Sequence, residues 1–340
     1  MEKNTSGKKH NALKEWIVLH AGQLAFLVLL ILVLSIASPT FRTAANFINV
    51  SRQVSINMII ACAMTMVLII GGIDLSVGSV MAMSGMVSAY LSLSGVPFGI
   101  CMLAGLATGV AAGFVNGIIL ANTKLPPFIV TYATQSILRG MVYVITGAGT
   151  IRLVSQAYMD FGGLSLGAIP LPVLYMIGVI CVSTILLSRT KFGRHLFAIG
   201  GNPKAAQYAG INTKKSTLII YIISGVCAAF AGMVLTSRNS SMQPAVGNGA
   251  EMDAIAAVVL GGTSMAGGRG SISGTILGAF IIGFINNGLN MLRMDSFYQY
   301  IVKGIVILIA VYMDDVKNAR LAKGVQTNVK PEKDKDHEKK

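Results

Sequence analysis

Ten stretches of the chain, each of about twenty residues and nearly free of charge, leave few folds open to it. They run over 20–38, 54–71, 76–94, 97–120, 126–146, 169–188, 216–236, 252–267, 272–291 and 298–314. A helix needs roughly 20 apolar residues to cross the hydrocarbon core of a bilayer. Only 12% of the residues are charged, against roughly 25% in a soluble domain. The pattern predicts an all-α polytopic membrane protein with about ten transmembrane helices. The shorter spans border glycine-rich breaks, so some of these helices are expected to be interrupted.

An even number of spans returns both termini to one side of the membrane, and charge says which side. Of the 27 Lys and Arg, four lie in residues 1–15, six in 189–215 and eight in 317–340. The loops assigned to the other side are 39–53, 147–168, 237–251 and 292–297. They hold Arg42, Arg52, Arg152, Arg238 and Arg293 together with Asp160, Glu251 and Asp295. Basic loops stay in the cytoplasm, so both termini and 189–215 are expected there. The net charge of +14 sits in tails and one loop. A nucleic-acid partner would need a clustered basic face on a fold, and none is expected.

The expected organisation is a cytoplasmic N-terminal tail (1–19), a membrane domain (20–315) and a charged C-terminal tail (316–340). The last alternates Lys with Asp and Glu, a disordered composition. Segment 41–53, FRTAANFINVSRQ, is too polar to span and is expected to lie in the outer interface as a short amphipathic helix. The first apolar run is long, with no cleavage site after it, and is expected to remain as a helix.

Several chemistries have no foothold. No GxxxxGK[ST] nucleotide loop, HExxH or GxSxG occurs. Cys62, Cys101, Cys181 and Cys227 each fall in an apolar segment without a CxxC pair, so they read as small hydrophobes. No catalytic, metal or cofactor site is expected.

The polar residues inside the spans are Asn57, Asp74, Asn116, Gln135, Arg139, Asn286, Asn287, Asn290 and Lys303. Such groups are costly in lipid and face protein or water. Most are amides, which both donate and accept, as a polyhydroxyl solute requires. Buried carboxylates are scarce: Asp74, and Asp253 at a span start. That tilts against an ion-coupled carrier.

Asp74 sits in LIIGGIDLSVGSVMAMSG, between two apolar runs. It either lines a solute path or caps a helix beginning at Leu75. Both hold if the break borders a wet cavity, because non-helical backbone at membrane depth survives only there or within protein. Gly71, Gly72, Asp74 and Ser76, with Asn57, Asn116, Asn286, Asn287 and Asn290, are therefore the candidate pathway or helix-break residues. Arg139 and Lys303 can each snorkel or pair with an acid, Asp74 included. VLIIGGIDLSVGS (67–79) is echoed by AVVLGGTSMAGGRGS (257–271), a weak sign of an internal repeat, and transporters often place their pathway where repeats meet. AGLATGVAAGFVNG (104–117) and SGTILGAFIIGFINNG (273–288) carry small residues at spacings of three and four, which let helices approach closely.

The basic segment 189–215 holds one helical signature, NPKAAQYAGI (202–211). Asn202 is the N-cap, Pro203 the first helical residue and Gly210 the stop. Ala205, Ala206 and Ala209 give it a small-residue face, as a docking knob needs. Ala206 is expected to face solvent in the isolated subunit.

Taken in order, GGIDLSVGS, GRHLFAIGGNPKAAQYAGIN, EMDAIAAVVLGGTSMAGGRGS, GFINNGLNML and YQYIVKGIVILIAVYMD closely resemble the ribose-type permease family of bacterial ATP-binding-cassette sugar importers. The likeness runs from about residue 24 to 315. It implies one of two transmembrane subunits, a second copy or a paralogue, in a bacterial inner membrane. A cytoplasmic ATPase with two nucleotide-binding modules would drive them, and an extracytoplasmic binding protein would deliver a monosaccharide, ribose before allose, xylose, galactose or a sugar-derived quorum-sensing signal. It also implies that Asn202, Ala205, Ala206 and Gly210, matching the family's Ala-Ala-x-x-x-Gly element, dock into that ATPase, so the subunit itself is not catalytic. The competing classes are an ion-coupled secondary sugar carrier and a channel or scaffold. None accounts as well for the basic docking segment.

Overall fold

The computed structural model describes residues 16–17, 20–295, 298–299, 301–306, 308–309 and 311–312. Six helices are long and apolar enough to cross a membrane: α2 (Ala44–Ile69), α4 (Phe98–Asn122), α5 (Pro127–Thr146), α7 (Leu171–Arg189), α10 (Thr213–Arg238) and α12 (Ile272–Met291). Two more, α1 (Ala21–Ala37) and α3 (Val77–Leu93), are apolar but shorter. Other helices among the described residues are α6 (Gln156–Gly163), α8 (Lys191–Gly201), α9 (Pro203–Tyr208) and α11 (Ala250–Leu260). Four two-residue strands make two small pairs: β1 (Ile151–Arg152) with β4 (Ser241–Met242), and β2 (Ser165–Leu166) with β3 (Ile169–Pro170). The protein is an all-α, multi-pass membrane protein.

The core is built around α2, which is enclosed by α7, α10, α11 and α12 and is buried without a gap from Met58 to Ile69. By contrast α4, α5 and α7 keep broad apolar faces outward, with Leu103, Ile137, Val144 and Val182 more than half exposed. A helix apolar all round belongs in a core, and one with an exposed apolar face belongs against lipid.

Backbone approach fixes the closest contacts. On α4 the stripe Gly105, Gly109, Gly113 and Gly117 meets α10, so that a Cβ on Gly109 would strike the Gly225 carbonyl and one on Gly113 the Tyr221 carbonyl. On α12, Gly274 and Gly278 lie against Gly261 and the Ala257 carbonyl of α11 and the turn that ends it. Without a hydrophobic drive between helices in lipid, such close packing is what holds them together.

Three sequence expectations change. Segment 41–53 is not a separate interfacial helix. After a 3-10 turn over Pro39–Arg42, α2 begins at Ala44 with Thr43 as its N-cap and continues unbroken into the apolar span. Its polar residues find protein partners instead of the interface: Asn46 exchanges hydrogen bonds with Asn287 (3.1 and 2.8 Å), and Arg52 donates to Ser165 Oγ (2.9 Å). The expected span 252–267 is a helix only to Leu260, because Gly261, Gly262, Gly267 and Gly268 break it. The segment 189–215 is largely helical, as α8, α9 and the start of α10. Of the tenth span, residues 301–306 are helical and Lys303 is among them. Most of the tail 1–19 and all of 316–340 lie outside the described residues.

Candidate functional site

The helices α3 and α11 both begin after a non-helical stretch, and they begin against each other. Gly78, in the first turn of α3, faces the Gly247 carbonyl and Glu251 Oε2, so tightly that a Cβ there would collide with both. Around this meeting point lie two polar clusters.

The first surrounds Asp74, which is 1% exposed. Its Oδ1 accepts from the Ser76 backbone N–H (3.0 Å) and the Ser76 hydroxyl (2.6 Å). Its Oδ2 accepts from Ser224 Oγ of α10 (2.7 Å). The chain of bonds goes on outward: Asn116 Nδ2 of α4 donates to Ser76 Oγ (2.9 Å), and Thr134 Oγ1 of α5 donates to Asn116 Oδ1 (2.6 Å). One residue earlier, the Ile73 carbonyl accepts from Thr131 Oγ1 (3.1 Å) and Tyr221 OH (3.4 Å). The break is thus pinned from α4, α5 and α10 together. The helix starts at Val77, not Leu75, and Asp74 takes up one backbone N–H, through a bond two residues ahead. Neither Arg139 nor Lys303 pairs with it.

The second cluster surrounds the start of α11. Arg139, on the same inward side of α5 as Thr131 and Thr134, donates through Nη1 to the carbonyls of Pro244 (2.6 Å) and Val246 (2.8 Å). Its Nη2 is buried and has no partner, and so is Oε2 of Glu251, a residue 5% exposed. Glu251 thus lies in the first turn of a helix and is buried, not in an exposed loop. Its burial was not legible in the sequence, because it depends on Gly78, more than 170 residues earlier.

Farther along α11, Asp253 Oδ2 accepts from Lys303 Nζ (3.0 Å) and Asn286 Nδ2 (3.0 Å). Asn290 is exposed and accepts from Gln299, while Asn57 is half-buried on α2 and joins neither cluster. The candidate pathway residues therefore separate: Asp74, Ser76 and Asn116 are brought together, Asn286 and Asn287 sit in two other pairings, and Asn57 and Asn290 stand apart.

A third feature links the first break to α9. The ends of α2 and α8 and the turn after α11 meet at glycines. Gly268 N–H donates to the Ile69 carbonyl (2.8 Å), and the backbone of Gly200 rests on that same carbonyl and on Gly268 N. Gly268 has φ +74°, a conformation that suits glycine. Two residues past this junction, Asn202 Oδ1 caps α9 by accepting from Ala205 N–H (3.0 Å), with Pro203 in the first turn. Gly210, at φ +80°, ends the turn. Lys204, Ala205, Gln207 and Tyr208 are exposed, Tyr208 at 92%. Ala206 is not: it is 4% exposed and forms the inner face of α9. A six-residue helix lying on the body must turn one side inward, and that side is Ala206.

Comparison with known proteins agrees with this architecture. The family model described as the branched-chain amino acid transport system / permease component matches residues 46–311. The ribose import permease protein of Bacillus subtilis is 46% identical over 300 residues, covering 86% of this chain and 92% of that one. The chain belongs to this permease family. The ribose import permease protein of Escherichia coli strain K12 is 42% identical over 316 residues, covering 92% and 98% of the two chains. The D-allose transport system permease protein of the same strain is 40% identical over 295 residues, covering 86% and 90%. No solved structure matches. The matched region of the family contains both helix starts, the glycine junction and α9.

Proposed function

We propose that this protein is the membrane-spanning subunit of an importer that moves a monosaccharide, ribose first among them, through a bacterial inner membrane. It works as one of two such subunits, with ten spans and both termini in the cytoplasm. A cytoplasmic ATPase supplies the energy, and an extracytoplasmic binding protein supplies the sugar. The observation that carries this reading is the likeness to ribose import permease proteins over nearly their whole length.

Within this reading the exposed side of α9 docks the ATPase. Lys204, Ala205 and Tyr208 face outward on a segment that also carries Arg189, Lys191, Arg194, Lys214 and Lys215 and no acid, so it suits a cleft with acidic edges. Movement of α9 passes through Gly200 and Gly201 to the end of α2, and from there to the break that begins α3. The amide and hydroxyl groups around Asp74 border a polar passage.

The test is uptake of labelled ribose by vesicles holding the permease, with and without the ATPase and binding protein. Uptake that needs both partners and ATP supports the reading. Uptake that survives without the ATPase and follows an ion gradient overturns it. Ala205→Arg is the docking test, because added bulk at a packed interface is poorly tolerated and Ala205 is exposed. It is expected to abolish uptake and co-purification of the ATPase while the permease stays folded. Ala206→Arg is unsuitable, since the buried Ala206 supports the subunit itself.

A further inference from the structure

Two opposite charges meet at the start of α11 without being joined, Glu251 buried and Arg139 of α5 half-buried. The Arg139 guanidinium and the Glu251 carboxylate interact electrostatically, yet no ion pair within 4.0 Å connects them. Each has one atom shut away from water without a hydrogen bond, Nη2 and Oε2. A buried charged group left partly unpaired is strongly unfavourable. Here a donor and an acceptor that would relieve each other are held apart.

What holds them apart is visible. Arg139 Nη1 is engaged by the Pro244 and Val246 carbonyls, in the segment that leads into α11. Glu251 is wedged against Gly78 of α3. The two charges belong to elements that can move relative to each other. Among helices, α5 packs chiefly on α3 and α4, and most of its surface is exposed. The helix α11 is short, and a loop with left-handed glycines at Gly247 and Gly249 precedes it.

We propose that Arg139 and Glu251 close into a direct ion pair in the other access state of the transport cycle. The present arrangement is the open position of an internal clasp. When α5 shifts along α11, Arg139 exchanges its hold on the loop carbonyls for the carboxylate, and the loop at 244–249 is released. Two discrete arrangements of packed elements are what a switching transition requires. Arg139 and Glu251 are positioning residues. They set the balance between the two states and need not touch the sugar. The inference rests on the permease reading.

The experiment uses the assembled transporter in proteoliposomes, with ribose uptake as one readout. Glu251→Gln keeps the size of the side chain and removes the charge. It is expected to lower uptake by about tenfold or more, the scale of breaking one buried ion pair. A second readout does not depend on uptake: maleimide labelling of Ala245→Cys, an exposed loop position. With Glu251 intact, labelling is expected to differ between nucleotide-free and ATP-trapped transporter. With Glu251→Gln the difference is expected to vanish. Wild-type uptake in Glu251→Gln, or labelling that still changes with nucleotide in that variant, overturns the clasp. Failure of the wild-type transporter to take up ribose would count against the permease reading instead.

Discussion

The helices α3 and α11 start in contact, and both need an acid near the first turn, but they use it in opposite ways. At α3, both oxygens of Asp74 are engaged by hydroxyl and amide donors, and the Ser76 hydroxyl in turn accepts from Asn116, whose own oxygen accepts from Thr134. At α11, Glu251 keeps one oxygen without a partner, beside a guanidinium that also lacks one. A fully satisfied buried network rigidifies its surroundings, whereas a half-satisfied one is held at a cost. The first start is therefore the fixed end of the pair and the second the end that can change. The sequence does not distinguish them, since each reads as an acid near a glycine before an apolar run.

The largest expected effect that would break this contrast comes from Asp74→Leu. It strands the Ser76 N–H, the Ser76 hydroxyl and the Ser224 hydroxyl in a buried place, a loss of about 4 kcal/mol. Thermal unfolding in detergent, with the yield of folded protein, checks it. If the variant unfolds like the wild type, Asp74 is not the fixed end. Next is Gly78→Ala, expected to cost about 2 kcal/mol by pushing a methyl group into backbone on the opposite start. Gly140→Ala is its control: nothing lies within 4 Å of a Cβ there, and a helix prefers alanine by up to about 1 kcal/mol. If Gly78→Ala behaves like Gly140→Ala, the two starts are not in contact.

Asp74→Asn sharpens the contrast. The amide still accepts from Ser76 and can donate to Ser224, so a loss of about 1 kcal/mol is expected. The smallest effect is expected for Glu251→Gln, less than about 1 kcal/mol in unfolding, because the oxygen it alters has no bond to lose. Measured side by side, Asp74 variants should differ from wild type mainly in melting temperature. The Glu251 variant should differ mainly in transport.

Much of this was legible in the sequence because its causes are local. Hydropathy located the six long apolar helices and the two shorter ones, since each needs only its own length in lipid. The cap at Asn202, the proline after it and the glycine at 210 defined α9, because a helix end is settled by a few neighbouring residues. The break at Gly71–Ser76 was legible for the same reason. What stayed hidden depends on distant partners. Asn46 makes the start of α2 tolerable through Asn287, 241 residues away. Arg139 reaches carbonyls more than 100 residues on, and backbone carbonyls have no sequence signature. The burial of Ala206 depends on which side of a short helix meets the body, and six residues are too few for periodicity to show it.

The pairing at Asp253 bears on how the protein is made. The helix α11 has 11 residues and rises about 16 Å, roughly half of the hydrocarbon thickness. A segment so short does not partition into the membrane by itself, and the helical residues 301–306 include a lysine that hydrocarbon does not welcome. Each becomes acceptable through the other, because Lys303 neutralises Asp253 while Asn286 of α12 holds the same oxygen. Burial of α11 is therefore coupled to that of α12 and of the stretch around Lys303, each supplying a partner to the same carboxylate. Without Lys303 the carboxylate of Asp253 has no cation, so a residue 50 positions farther along the chain seals the polar first turn of α11.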